Sequence, residues 1–422
     1  MGTAAMITRL ANGVHVVVVP RSDVDVASVA ISVAVGSRDE PQHRAGFAHL
    51  FEHLMFAGSA GAPAGTYAST IHALGGRFNA STRADCTVFH VTAPAEAIDN
   101  VIRLEADRFS RPVFTAEALT REVSVVANEI EQRFTRRPFG RFPMDDLRRQ
   151  LFARFANRHD GAATVADLPA ATLTDIERFF EREYSPGRLT VAVVGGVDVE
   201  RTRSVIAEAF SPLVARAPRP PRALEEPARP ATTVRHRRAG LPAEAVALGV
   251  RVPDPADLRA YLPTLVLAEV LQERAAARPP TGLVSLAIGV DLLGDPLGVR
   301  DPTGFVARGL VADGADADEA LADLQRLIAA ARTGGDDPLG DDEVRAAGAV
   351  LGSRLASGLD DVNAHAVALA TRVSLGAPTD FPAIAARFRG VDAEAARQAA
   401  DALTEGCAVL LCHDAPRPGG VR

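Results

Sequence analysis

Cysteine is scarce in this 422-residue chain, and its three thiols, Cys86, Cys407 and Cys412, are widely scattered. That excludes a disulfide framework or a cysteine-rich zinc site and fits a reducing compartment. Long apolar runs are also missing: nothing approaches the ~18 residues of a membrane span, and "VHVVVV" is short enough to read as a buried strand. The opening "MGTAAMITRL" lacks the charged-then-apolar order of a signal peptide. Together these absences lead us to expect a cytoplasmic chain with no membrane contact. Excess positive charge is absent as well. The net charge is −7 with no evident basic stripe, which argues against a nucleic-acid partner.

What is present is ordinary for a globular protein, with 47% hydrophobic and 23% charged residues. The length suffices for two domains of roughly 200 residues, each with its own core. A proline-rich, charged stretch without hydrophobic period, residues 215–233, reads as a stiff linker. We therefore expect domains over 1–214 and 234–422. Both halves mix β-branched strand segments with amphipathic helices, and both end on a helix followed by an apolar strand, "RLTVAVVGG" and "CAVLLCH". This shared grammar suggests two structurally similar domains.

One short stretch carries chemistry. In "GFAHLFEHLMFAG", helical spacing over about 45–57 puts Phe47, Leu50, Phe51 and Leu54 on one side. His49, Glu52 and His53 fall near the other, with Phe56 among them. Imidazoles one turn apart can bind one metal, and Glu52 beside them is placed for a general base. A solvated helix face is the plain alternative. Chance would produce H-x-x-E-H in such a chain on the order of once in a hundred. A catalytic zinc needs a third protein ligand. The expected helix at 116–136 offers Glu122 and Glu129, seven apart on one face. They are either carboxylates aimed into a cleft or ordinary surface glutamates, since helices favour Glu. His72 and His90 lack partners at ligand spacing and read as core or edge-strand histidines.

H-x-x-E-H is the inverted zinc motif, and the chain resembles the pitrilysin/insulinase family, especially bacterial members related to mitochondrial processing peptidase. The family's third ligand, a downstream glutamate, falls on Glu129, and a second family glutamate falls on Glu122. "NASTRADCTVFHV" looks like the family's substrate-edge segment, beginning here at Asn79, and "LTDIERFFEREYSPGRLTVAVVGGVD" looks like its closing helix and strand. The resemblance implies an α+β fold of two similar domains, each a mostly antiparallel sheet with helices packed on one side, enclosing a chamber. It implies a zinc peptidase of unstructured peptides: His49, His53 and Glu129 holding Zn²⁺, Glu52 as base, Glu122 orienting a ligand, and Asn79 contacting substrate.

One departure bears on partners. Many family members carry R-x-x-x-G-L-x-Y in the second domain. The nearest match, "RPPTGLVS", keeps Arg278 but has Ser285 where the Tyr stands, and Tyr261 lies well upstream. We therefore expect the zinc-bearing half of a heterodimer whose sister chain supplies the Arg/Tyr pair. A homodimer or self-sufficient chain is the alternative. So is a non-catalytic structural or peptide-binding subunit of the same fold.

Overall fold

A computed structural model describes residues 6–161, 168–215, 226–403 and 406–414. Residues 216–225, ten of the nineteen residues of the linker expected over 215–233, lie outside the described residues.

Strands β1 (Met6–Arg9), β2 (His15–Pro20), β3 (Val26–Val33), β4 (Arg77–Thr82), β5 (Thr87–Pro94) and β6 (Leu189–Gly195) form one sheet, ordered β1-β2-β6-β3-β5-β4. The second sheet holds β7 (Thr233–Arg238), β8 (Ala245–Arg251), β9 (Leu283–Gly289), β10 (Gly304–Val311) and β11 (Cys407–His413), ordered β7-β11-β8-β10-β9. Among the described residues each contains a single parallel pair, β2 with β6 and β7 with β11. Every other pairing is antiparallel. Leaving out β1, the two sheets match strand for strand in order and direction. The similarity of the halves is a similarity of topology.

Five helices matter below: α1 (Phe47–Leu54), α2 (Tyr67–Ala73), α3 (Ile98–Ser110), α4 (Ala116–Ile130) and α5 (Met144–Leu151). The helix expected over 116–136 stops at Ile130 and gives way to a wider turn, Glu131–Thr135. Likewise α1 is shorter than expected, and Phe56 lies beyond its end.

The chain forms two compact units that interleave in sequence. The first runs to Ile130, resumes at Asp160 and takes in Ala356–Phe381; the second takes Glu131–His159, the chain up to Leu355, and the part from Pro382 onward. In the first unit, strand alternation gives the sheet two faces. Val29, Ile31, Val91 and Phe89 share one, where Phe89 meets Phe109 of α3 at 5.5 Å between ring centroids. Ser28, Ala30, Ser32 and Thr190 share the other. Against this smaller, more polar face lies the helix Val362–Ser374, from late in the chain. Ser28 Oγ reaches Asn363 Oδ1 at 3.0 Å, and Ser374 Oγ reaches Thr190 Oγ1 at 3.1 Å. Cover on both faces explains why β3 is buried from Ala27 to Val33 rather than alternating.

The second unit receives α5 from early in the chain by the same logic. A Cβ on Gly249 of β8 would lie 2.9 Å from Leu147 Cδ2, so the glycine admits α5 at close range. Each half of the chain thus covers a sheet face belonging to the other half. Among the described residues, no helix is long and apolar enough to cross a membrane.

A chain cut between residues 215 and 226 leaves each half without the helix that closes its sheet. Expressed alone, the first half should show no cooperative thermal transition, and co-expression of both halves should restore one. Cooperative unfolding of the lone first half would contradict the exchange as a stability requirement.

Candidate metal centre

The site begins with the start of α1. Gly46 adopts φ +88°, a left-handed conformation that favours glycine, and turns the chain into the helix. The buried Glu40 carboxylate accepts the Gly46 N–H and the Ala48 N–H, both at 2.8 Å. Two otherwise orphaned donors are satisfied, and negative charge sits at the positive end of the helix. The apolar face follows the expected period: Phe47, Leu50, Phe51 and Leu54 are all buried. Phe51 packs among Phe114, Phe179 and Tyr184. With one face fixed and the N-terminus tied, the other face has a set direction.

That face presents His49 and His53, whose rings meet edge-on at 5.1 Å. Opposite them α4 presents Glu122 and Glu129. Glu129 Oε2 lies 3.5 Å from His49 Nε2 and 3.5 Å from His53 Nε2. Ligand atoms of His49, His53 and Glu129 all fall within 4.8 Å of one another, and among the described residues no other His, Cys, Asp or Glu group converges this way. Two ligands held tetrahedrally at ~2.0–2.1 Å from zinc stand roughly 3.4 Å apart. The donor set and spacing fit that ion.

The nitrogens of His53 are divided. While Nε2 faces Glu129, Nδ1 lies 3.5 Å from Glu122 Oε2, and Glu122 also takes Arg121 Nε at 3.0 Å. A carboxylate on the far nitrogen of a ligating imidazole fixes its tautomer and orientation. Burial pulls the His53 imidazole down, but Glu122, with Glu52 and Glu129, outweighs it, and the net shift is upward. Glu122 is held below its ordinary value, chiefly by His53. Burial pushes the Glu52 carboxyl up, opposed in part by hydrogen bonds from the Thr82 hydroxyl and backbone N–H at the end of β4.

The remaining expected residues lie elsewhere. Asn79 sits mid-way along β4, the edge strand of its sheet, opposite His90. Arg278 belongs to the second unit, where it follows the helix Leu258–Ala277, is exposed, and pairs with Asp337 at 3.1 Å. Tyr261 is buried and donates its hydroxyl to the Pro296 carbonyl at 2.9 Å, a structural bond. His72 stands near Phe78, and His90 is hydrogen-bonded to Asn363.

Sequence reasoning missed Glu40 and Thr82, because neither forms a local pattern with α1. It also missed Arg108, which is fully buried. Arg108 pairs with Glu105 at 2.5 Å, Glu105 accepts the Tyr67 hydroxyl, and four rings, including that of Phe56, surround the guanidinium at 4.6–5.2 Å. This cluster pins the chain leaving α1.

In metal-free protein, a His53 pKa raised above 6.5 stabilises the fold at low pH and loses that contribution as pH climbs through the folded value. Glu122, held below 4.5, contributes above that value and loses its contribution as pH falls through its folded one. Denaturant unfolding of chelator-treated wild type and Glu122→Gln should therefore differ most near about pH 5.5 and converge near about pH 8.5. An equal gap at both values would contradict the pairing.

Two family models match the chain: insulinase (peptidase family M16) over residues 16–138, and the peptidase M16 inactive domain over 170–346. An uncharacterized zinc protease of Mycobacterium leprae is 31% identical over 207 residues, covering 48% of this chain and 45% of that protein. The zinc protease PqqE of Helicobacter pylori is 30% identical over 257 residues, covering 58% and 56%. The insulin-degrading enzyme of Drosophila melanogaster is 26% identical over 214 residues, 48% of this chain but 21% of that protein. The matched part is thus about half or less of these relatives' length. Among solved structures, a Helicobacter pylori protease superposes with TM-score 0.86 at 21% identity, covering 97% of this chain and all of that one. A peptidase M16 inactive domain from Pseudomonas fluorescens gives 0.83 at 16%, covering 97% and 98%. With the two models falling in chain order on its two halves, this chain belongs to the peptidase M16, or insulinase, family.

Proposed function

We propose that this chain is a zinc-dependent endopeptidase of unstructured peptides, and the zinc-bearing subunit of a two-chain enzyme. One observation carries the reading: the Glu129 carboxylate lies 3.5 Å from each of two imidazoles, close to the ~3.4 Å separation of ligands on tetrahedral zinc, with all three ligand atoms within 4.8 Å and a partly buried carboxyl in the same pentad. His49, His53 and Glu129 would hold the ion. Zinc, when bound, supplies Lewis acidity, which acidifies water toward neutrality and polarises a scissile carbonyl. Glu52 accepts the proton of the attacking water and passes it to the leaving amine nitrogen, and its raised pKa suits both transfers. Glu122 keeps His53 in the orientation that turns Nε2 toward the ion.

The edge position of β4 supports a substrate mode. An extended peptide can pair with β4 near Asn79 as an added strand. Thr82, which holds Glu52, ends the same strand, so peptide register and proton acceptor share one rigid element. The three free, buried thiols fit a cytoplasmic location.

A second reading has its own observation. The model matching residues 170–346 is that of the inactive M16 domain, and a structural neighbour bears the same description. A non-catalytic peptide-binding subunit would have no use for Glu52. Glu52→Gln should keep its zinc and lose ~10²–10⁴ in peptide turnover, since acid–base help is worth that much. Glu129→Ala should lose zinc, and Glu122→Ala should retain most of it. Metal analysis and cleavage of a quenched-fluorescence peptide read both; turnover that survives Glu52→Gln would contradict Glu52 as the base, and zinc-loaded wild type with no turnover, alone or with a sister chain, would favour the second reading.

The subunit proposal rests on the second unit. Arg278 is exposed and engaged with Asp337, Ser285 lies on β9, and Tyr261 is committed to Pro296. None supplies a free phenol. The purified chain should bind zinc yet cleave slowly, and a sister chain carrying the Arg/Tyr pair should raise turnover. Full activity alone, unchanged by such a chain, would overturn the heterodimer.

A further inference from the structure

We propose that the open edge of β7 in the second unit binds an extended acidic peptide segment, as an added strand held by arginines on both sides. The proposal is independent of the metal centre.

The net charge of −7 conceals a strong local asymmetry. Residues 131–159 carry eight arginines against three acidic residues, and β7 itself reads Thr-Val-Arg-His-Arg-Arg. The fold joins these two stretches within one unit. His236 reaches Asp146 of α5 at 3.1 Å, and a Cβ on Gly140 would lie 3.6 Å from Arg238 Nη1. Gly140 closes a turn that starts at Arg137, its N–H donating to the Arg137 carbonyl at 3.1 Å. Just before that turn, Phe134 carries two guanidinium groups, Arg141 at 4.6 Å and Arg133 at 5.5 Å from its ring centre. Arg238 therefore looks onto a basic surface built from 133–141.

Alternation along β7 places Arg235 and Arg237 on the opposite face. Arg235 is paired with Asp318, whereas Arg237 donates to the His413 carbonyl. Among the described residues, Arg137, Arg237 and Arg238 have no carboxylate partner within ion-pair distance, and all three are exposed. Surface guanidinium groups of this number, left unneutralised, define what they attract.

Three features choose the occupant. Among the described residues β7 is the last strand of its sheet, joined to β11 on one side only, so a row of backbone N–H and C=O groups faces outward. Those groups recognise an extended polypeptide and do nothing specific for a nucleic acid or a lipid surface. Side chains of an added strand alternate, so acidic residues on its two faces would meet Arg238 and its neighbours on one side and Arg237 on the other. Guanidinium forks match carboxylates two bonds at a time. The ligand class is an extended segment rich in Asp or Glu.

The test uses the full chain carrying Glu52→Gln, so that peptide stays intact. A short fluorescein-labelled peptide repeating Glu-Glu-Val-Val, which puts Glu on both faces of a strand, is followed by anisotropy, beside three probes: the same peptide with Lys for Glu, an equally charged version with Pro for Val, and duplex DNA. We expect the Glu/Val peptide to bind, to weaken steeply with added salt, and to lose about tenfold in affinity in the R137E/R238E double variant. The Lys and Pro versions should bind at least about tenfold more weakly, since one lacks the charge and the other cannot pair its backbone. Unchanged circular dichroism and zinc content show that the variant is folded. No binding at low salt would mean that the arginines merely keep an edge strand from pairing. Equal binding of the Pro version would exclude strand addition, and DNA binding as tight as the peptide would exclude the polypeptide class. Unchanged affinity in a folded R137E/R238E protein would remove the site.

Discussion

A buried carboxylate accepting the first N–H groups of a helix fixes where the candidate metal centre stands. Glu40 holds the start of α1 through two 2.8 Å bonds. Leaving those donors unpaired in a buried setting would cost roughly 1–3 kcal/mol each. Because Phe47, Leu50, Phe51 and Leu54 are packed at the same time, α1 can neither slide nor roll. Its third and seventh residues, His49 and His53, then face α4, while its sixth, Glu52, is held by Thr82 of β4. Everything proposed of the metal centre depends on that constraint, since separations of 3.5 Å from Glu129 to the two imidazoles leave little room for a helix that shifts. At the other end, Arg108 in its cage of rings restrains Phe56 and so limits the chain leaving the helix.

The interleaved units give this local precision a rigid background. A sheet with helices on one face only would leave Ser28, Ser32 and Thr190 to solvent. Under the helix Val362–Ser374 they are buried, and Ser28 and Thr190 hydrogen-bond to Asn363 and Ser374. Small residues on that face, like Gly249 in the second sheet, permit the close approach. Matching topology with unmatched chemistry follows naturally: between β8 and β9, where the first unit has α1 and α2, the second has Leu258–Ala277, a largely buried helix without histidine.

Much of this was legible in the residues. The apolar period of α1 and the one-face spacing of Glu122 and Glu129 are local patterns, and both are present as read. Most strands of both halves and the closing helix–strand pair were visible for the same reason, but β1 and the arginine-rich β7, which lack a β-branched apolar run, were not. What escaped was non-local. Glu40 acts on α1 from outside the helix, Thr82 acts from another strand, and Arg108 looks like a surface residue until its cage is assembled. The helices α2 and α5 are short and carry mixed composition, so their periodicity is weak; tertiary packing makes them. Phe56 was assigned to the helix because a 3.6-residue period has no means of announcing where the helix stops. The basic surface beside β7 is invisible to a net charge, since it forms only when 131–159 and 233–238 are brought together.

The central claim is that His49, His53 and Glu129 form a zinc site completed by a position open to water. X-ray absorption at the zinc edge of the loaded protein reads this most directly. The account predicts a four-coordinate first shell of nitrogen and oxygen at ~2.0–2.1 Å, with two imidazoles and no sulfur, that loses one oxygen ligand in Glu129→Ala or loses the metal altogether. A sulfur shell at ~2.3 Å, or a spectrum unchanged by His49→Ala and Glu129→Ala, would contradict it.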